Sequence, residues 1–169
     1  MRRLLPFLLV AVLAAVAGRD LVSGADGDTA PAAPGVARVV RVVDGDTIVV
    51  RLDGREERVR YIGVDTPETV KPNSPVECFG KAASKENRRL VDGREVTLTF
   101  DVEQRDRYGR LLAYVRRRGD GLFVNAELVR RGYATTLTIP PNVRYAERFA
   151  ALARAAREAG RGLWSACER

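Results

Sequence analysis

The chain has no histidine among its 169 residues. Any general base must therefore be a carboxylate, lysine, cysteine or tyrosine, and any metal must be held by oxygen or thiolate ligands. Cysteine is almost as scarce, with Cys78 and Cys167 the only two, so cysteine-rich zinc sites are excluded. Long apolar stretches are confined to one place, Leu4 to Ala17, which excludes a multi-span membrane protein. Acidic residues are outnumbered, 22 against 29 basic ones, leaving a net charge of +7 and a pI near 10.0. Nearly all of the positive charge is arginine. Two readings of this excess stand side by side: an anionic partner such as nucleic acid or a membrane surface, or a compositional bias with no polyanion partner.

What is present suffices for one domain with a core, at 18.6 kDa, 46% hydrophobic and 30% charged, and not for a disordered chain. Residues 1–17, "MRRLLPFLLVAVLAAVA", follow the order of a secretory signal peptide: arginines, an apolar run, then Ala15-Val16-Ala17. Cleavage after Ala17 removes Arg2 and Arg3 and leaves +5, that is +7 minus 2. The alternative is an uncleaved signal anchor built on residues 4–17, which makes the membrane a partner only in that case. Either way the expected location is secreted or extracytoplasmic. Residues 18–35 are rich in Gly, Ala, Asp and Pro without periodicity and read as a flexible linker. The folded domain is expected over residues 36–167. In an oxidising compartment an even cysteine pair forms a disulfide more often than a reactive thiol. A Cys78–Cys167 bond is therefore expected, two unrelated thiols being the other possibility.

From Val36 the pattern alternates with a period of two, punctuated by Asp44-Gly45 and Asp53-Gly54. Asp-Gly between β-branched runs is a hairpin signal, so "VARVVRVV", "DTIVVRL" and "REERVRYIGV" read as a three-strand meander. Residues 77–91 lose alternation and read as a helix. "REVTLTF" (94–100) and "LLAYVRR" (111–117) give a fourth and a fifth strand. Helical spacing returns at 122–132 and 145–160, each stopped by glycine. This order predicts an α+β fold that is mainly β: a small closed antiparallel barrel of five strands, of the OB Greek-key type, with three helices packed on it.

Patterning puts several polar side chains at strand ends: Asp46 after the first turn, Arg60, Asp65 and Glu68 where the third strand ends, and Arg110 at the start of the fifth. Two carboxylates from different strands with a backbone carbonyl, such as that of Thr66, form a hard-oxygen site suited to calcium. Two guanidiniums grip a phosphate, and a third carboxylate orients or deprotonates a water. Together these are the parts needed to hydrolyse a phosphodiester, whose transition state gathers charge on equatorial oxygens. Singly, each has a plainer reading: Asp44 and Asp46 as turn formers, the arginines as solvated strand ends, Glu68 as the start of a helical turn.

The set "VVDGDTIVV", "RVRYIGVDTPE", "FGKAAS", "DRYGRLLAYV", "NAELVRRGYA" and "GLW" closely resembles the thermonuclease family, the staphylococcal nuclease-like enzymes, over about residues 36–165. The resemblance implies an OB-type barrel with three helices and calcium-dependent cleavage of DNA and RNA at the P–O5′ bond, leaving 3′-phosphates. It implies Asp46 and Asp65 as calcium ligands beside the Thr66 carbonyl, and Glu68 as the carboxylate bonding the attacking water. Arg60 resembles the phosphate-binding arginine, and Arg110 the one assisting the leaving group. Arg107 and Tyr108 match positions near the terminal phosphate of a bound nucleotide. Two tyrosines that stack on the nucleotide in the family's best-known member align with Thr138 and Pro140; Tyr145 either substitutes for them or packs beneath the last helix. DNA and RNA are the implied partners, with no protein partner and nothing requiring more than a monomer. The reading from another class is a non-catalytic OB module that binds nucleic acid or the envelope. Such a module has no use for Asp46, Arg60, Asp65, Glu68 and Arg110 together.

Overall fold

The computed structural model describes residues 35–69 and 75–167. The expected signal segment and all of the expected linker but Gly35 lie outside the described residues. Seven strands and four helices follow in the order β1 (Gly35–Val42), β2 (Thr47–Leu52), β3 (Arg55–Tyr61), β4 (Gly63–Asp65), α1 (Gly80–Val91), β5 (Glu95–Thr99), β6 (Leu111–Arg117), α2 (Val124–Arg130), β7 (Thr135–Leu137), α3 (Ala146–Glu158) and α4 (Leu163–Ala166). Five strands close a barrel in the order β1-β2-β3-β6-β5, β5 pairing back onto β1, while β4 and β7 form a separate two-stranded sheet. This is the expected OB-type barrel with three helices, joined by the single turn α4.

The barrel forms because alternate residues are apolar and β-branched. In β1, Ala37, Val39 and Val42 are buried while Arg38, Val40 and Arg41 face out, a register shift between Val39 and Arg41 absorbing the extra residue. β2 presents Ile48 and Val50, β3 Val59 and Tyr61, β5 Val96 and Leu98, and β6 Ala113 and Val115 to one core. The β2–β3 hairpin turns at Asp53-Gly54, where φ is +49° and +80°, the paired positive values of a tight type I′ turn.

Two expectations change. The barrel is mixed rather than antiparallel, because β3 pairs with β6 in parallel. Parallel neighbours need a long crossover, and the stretch holding α1 and β5 provides it. The third strand, expected to run from 55 to 64, breaks at Ile62: Gly63 adopts φ +78°, and the chain leaves the barrel to pair β4 with β7. Only glycine fits at 63, since a Cβ there would lie 2.5 Å from the Phe149 ring of α3. Asn125 of α2 fixes the break, donating to the Ile62 carbonyl (2.9 Å) and accepting from the Val115 N–H (2.9 Å).

The structure joins Cys78, just before α1, to Cys167 at the end of α4, with Cα atoms 5.9 Å apart and a sequence separation of 89. Closing a loop of that length is worth about 4–5 kcal/mol in the chain-entropy model. Reduction is therefore expected to lower the melting temperature by roughly 10–20 °C, checked by thermal melts with and without a thiol reductant. An unchanged melt would mean that the C-terminal turn is held by packing alone.

Candidate active site

Three breaks in the barrel wall build the site. The β1–β2 turn carries Asp44 and Asp46, the strand-to-turn stretch after Ile62 carries Asp65, Thr66 and Glu68, and the β5–β6 loop carries Arg107, Tyr108 and Arg110. In an OB barrel, the loop between the first two strands and the loop between the last two are the ones that meet a ligand. Local bonding explains each position. Asp44 accepts from the Asp46 N–H (3.1 Å), and Asn87 of α1 donates to the Asp44 carbonyl (3.0 Å) while accepting from the Tyr61 hydroxyl (2.9 Å). The Tyr61 N–H in turn donates to the Asp46 carbonyl (2.9 Å). Asn87 and Tyr61 thus anchor the acidic turn to the barrel and to α1.

Gly45 lies in the turn of the β1–β2 hairpin, and it also makes room for a neighbouring segment. A Cβ at 45 would come within 2.6 Å of the Thr66 side chain. Its absence lets Thr66 reach Asp46, whose Oδ2 accepts from the Thr66 N–H (2.8 Å) and hydroxyl (3.0 Å) while Oδ1 accepts from the Thr47 hydroxyl (3.1 Å). Gly45→Ala is accordingly expected to part these two segments, lowering stability by about 1–2 kcal/mol and turnover by a larger proportion. Melting and steady-state assays on the same preparation check it.

Arg60 binds both acids. Its Nη1 lies 3.0 Å from Asp46 Oδ2 and donates to the Val64 and Tyr61 carbonyls (2.8 and 3.2 Å), while Nη2 donates to Asp65 Oδ1 (2.7 Å). Arg110 is aimed by Asp106, which accepts its Nε–H (2.7 Å) and its backbone N–H (3.0 Å). Burial alone would raise the Asp106 carboxyl, but these bonds hold it below the usual range. Asp46, Arg60, Asp65, Thr66, Glu68 and Arg110 all line one cavity of about 70 Å³, together with Asp44 and Thr47.

The electrostatics of this cavity are unbalanced. Burial pushes the Asp46 carboxyl up to about 6, with the Asp44 charge adding to the rise and Arg60 and Thr66 opposing it. Burial likewise raises Asp65, with Asp46 adding to the rise and Arg60 again opposing. Arg60 pairs with both Asp46 and Asp65, while Arg110 pairs with Asp106, and a cation among these oxygens would offset the remaining charge. Among the described residues no three acids or cysteines close into a ready cage. A cation here would take the Asp46 and Asp65 carboxylates, a backbone carbonyl such as that of Thr66, and water. That donor set suits a hard cation and no soft one.

A second hollow of about 490 Å³ shares Arg60 and Arg110 with the first and is lined further by Arg107, Tyr108, Leu137 and Ile139. Tyr108 is 69% exposed; the Arg107 guanidinium sits 4.9 Å from its ring and donates to its hydroxyl (2.8 Å). The positions aligned with the family's stacking tyrosines are not among the residues that line this hollow. From that stretch Leu137 and Ile139 line it rather than Thr138 and Pro140, so the side it contributes is aliphatic. Tyr145 packs in the core instead, 4.6 Å from the Tyr114 ring and 5.1 Å from that of Phe123. It is not a substrate-facing ring.

The sequence reading passed over Asp44 as a site residue, the hydroxyls of Thr47 and Thr66, and Asp106. The run "DRYGR" carried a signal for the last, because an acid four residues before an arginine across a tight turn can reach its guanidinium.

A model described as staphylococcal nuclease homologue matches residues 58–166. The chain is 44% identical over 128 residues to the thermonuclease of Staphylococcus hyicus, covering 76% of this chain and 75% of that protein. It is 52% identical over 107 residues to the thermonuclease of Staphylococcus intermedius, covering 63% of this chain and 62% of that one. A third relative, endonuclease YncB of Bacillus subtilis (strain 168), is 43% identical over 127 residues, with 74% of this chain and 59% of the relative covered. With five barrel strands in this order, these acids and arginines around one cavity, and matches of this extent, the chain belongs to the staphylococcal nuclease homologue family.

Proposed function

We propose that this protein is a calcium-dependent nuclease that hydrolyses phosphodiester bonds of DNA and RNA outside the cytoplasm, leaving 3′-phosphate and 5′-hydroxyl ends. The observation that carries the reading is the convergence of Asp46, Arg60, Asp65, Glu68 and Arg110 on one cavity, beside a hollow of about 490 Å³ that shares Arg60 and Arg110 with it. The names of the relatives support the nuclease class, and the Cys78–Cys167 disulfide supports an oxidising compartment.

Asp46, Asp65 and the Thr66 carbonyl would hold the cation, which when bound supplies Lewis-acid stabilisation of charge on a phosphoryl oxygen. The chain's own side chains do the rest. Arg60 and Arg110 lie on the rims shared by the two hollows, so a phosphate there is met from two sides by guanidinium donors. Their fixed orientation stabilises charge on the equatorial oxygens as the phosphorus becomes five-coordinate. Glu68, on the cavity wall, orients the attacking water or takes its proton. The water oxygen bonds to phosphorus and gives up its proton to Glu68 or to solvent, the P–O5′ bond breaks, and the 5′-oxygen leaves beside Arg110 and takes up a proton from solvent water. Arg107 and Tyr108 sit along the larger hollow, where they meet the next phosphate or sugar.

The test is to digest a DNA oligonucleotide and its RNA counterpart with calcium present and analyse the ends. 3′-Phosphates from both substrates are expected. 5′-Phosphates would contradict the proposed bond cleavage, and binding without cleavage would favour the non-catalytic OB module.

A further inference from the structure

The segment just before α1 touches the catalytic turn at several points. The Glu77 N–H donates to the Glu68 carbonyl (3.0 Å), and the Glu77 carboxylate accepts from the Glu68 N–H (3.0 Å). Gly80, the first residue of α1, packs so close that a Cβ on it would meet the Glu68 carbonyl at 2.9 Å and the Pro67 carbonyl at 3.0 Å. Residue 68 is therefore held through its own backbone by residues 77–80.

What holds residues 77–80 is distinct from the barrel core. Cys78 is bonded to Cys167 at the end of α4. The Leu163 N–H of α4 donates to the Gly132 carbonyl (2.8 Å) after α2. Phe79 takes φ +67°, a conformation a bulky L-residue adopts only when its surroundings compel it. Its ring lies 5.3 Å from that of Tyr133, next in chain to Gly132. A covalent bond and a ring contact, on adjacent residues, both tie this strained segment to the same C-terminal layer.

We infer that Glu77 is a positioning residue for Glu68, and that the Cys78–Cys167 disulfide keeps it in place. The inference rests on the proposed role of Glu68 in turnover. Glu77 lines a hollow with Asp65, Thr66 and Pro67 on the outer side of the turn, not the cavity where the reaction is placed, so it acts through the backbone of Glu68 rather than on substrate. Its side-chain oxygen is what the Glu68 N–H needs; its charge reaches Asp65 as well, and Glu77→Gln separates the two effects. Removing that acceptor loosens residue 68 and lowers kcat while leaving substrate affinity with the arginines.

The experiment compares Glu77→Ala, Glu77→Gln and the double variant Cys78→Ser/Cys167→Ser with the unaltered full chain, below the melting temperature of each. Two readouts are taken: kcat and KM on DNA with calcium, and the exchange rate of the Glu68 amide by NMR without substrate or metal. Glu77→Ala is expected to lower kcat about tenfold with KM within twofold, and to speed Glu68 amide exchange by a comparable factor. Glu77→Gln, which keeps an acceptor oxygen and loses the charge, restores both. The disulfide-free protein behaves like Glu77→Ala, and adding Glu77→Ala to it changes little more. Unaltered amide exchange in Glu77→Ala overturns the inference, as does a Glu77→Gln variant no better than Glu77→Ala, since the effect would then be one of charge. If the unaltered protein does not cleave DNA, the nuclease proposal fails, and the amide exchange alone decides whether Glu77 positions residue 68.

Discussion

Glu68→Gln is expected to lower kcat on DNA by about 10²–10⁴-fold while leaving KM and the melting temperature nearly unchanged. That range is what a positioned carboxylate contributes by accepting or directing a proton. Glutamine has the same shape and keeps an oxygen where Glu68 Oε1 accepts the Thr69 N–H (2.9 Å), so the turn should survive. The substitution also leaves Asp46, Arg60, Asp65 and Arg110 in the same cavity, so phosphate binding should persist. A tenfold rise in KM with little change in kcat would instead make Glu68 a binding group. Full turnover in the variant would remove it from the reaction.

Asp46→Asn should separate activity from stability. At a working pH of 8 the variant is expected to lose at least 10³-fold in turnover, because one of the two carboxylates assigned to the cation is gone. It is nevertheless expected to be more stable than the parent in the presence of chelator. The folded-state carboxyl titrates near 6, above the 3.8 of an unperturbed aspartate. A raised acid pKa means that the folded chain holds its proton more tightly than the unfolded one. Stability from this group is therefore full below about pH 4, falls as pH rises from about 4 to about 6, and stays low above that. The difference corresponds to on the order of 2–3 kcal/mol, and asparagine removes it while keeping an acceptor for Thr66. The stability gap between variant and parent should open across that window and be flat at higher pH. Calcium should narrow the gap by stabilising the parent alone. Denaturant melts at pH 4, 6 and 8, with calcium and with chelator, check this; a variant less stable than the parent at pH 8 in chelator would mean that the Arg60 pairing outweighs burial.

Much of this was legible in the sequence because local chemistry and global structure agree in the barrel. Alternating β-branched residues fix the inward faces of β1, β2 and β5, and Asp53-Gly54 adopts the paired positive φ its composition suggests. Elements created by tertiary contact were not legible. β4 and β7 are three residues each and are strands only because each meets the other. The parallel β3–β6 pairing depends on how a helical crossover returns the chain, which no periodicity records. Residues 77–79 carry helix-forming neighbours, yet α1 begins at Gly80 because the disulfide and the positive φ of Phe79 hold the preceding turn open.

The site divides along the same line. Acids and arginines announce themselves by type, and the spacing of Arg60, Asp65 and Glu68 puts them at one strand end. Asp44-Gly45 does mark the β1–β2 hairpin, but the second role of Gly45 is spatial and left no sign: it makes room for Thr66, twenty-one residues on. Asn87 and Asn125 gave no sign of being buried brackets for the acidic turn and the strand break. A polar side chain on a helix is as often solvated as buried, and only its partners distinguish the cases. Of the two readings of Tyr145, stacking on substrate or packing beneath the last helix, the structure has the second, because the Tyr114 and Phe123 rings are within reach.

The most direct test of the account is hydrolysis of DNA by the purified protein, followed by the release of acid-soluble nucleotides with calcium, then with excess chelator, then with calcium restored. Cleavage that stops with the chelator and returns with calcium is the predicted result. No cleavage with calcium present, or cleavage indifferent to the chelator, would contradict it.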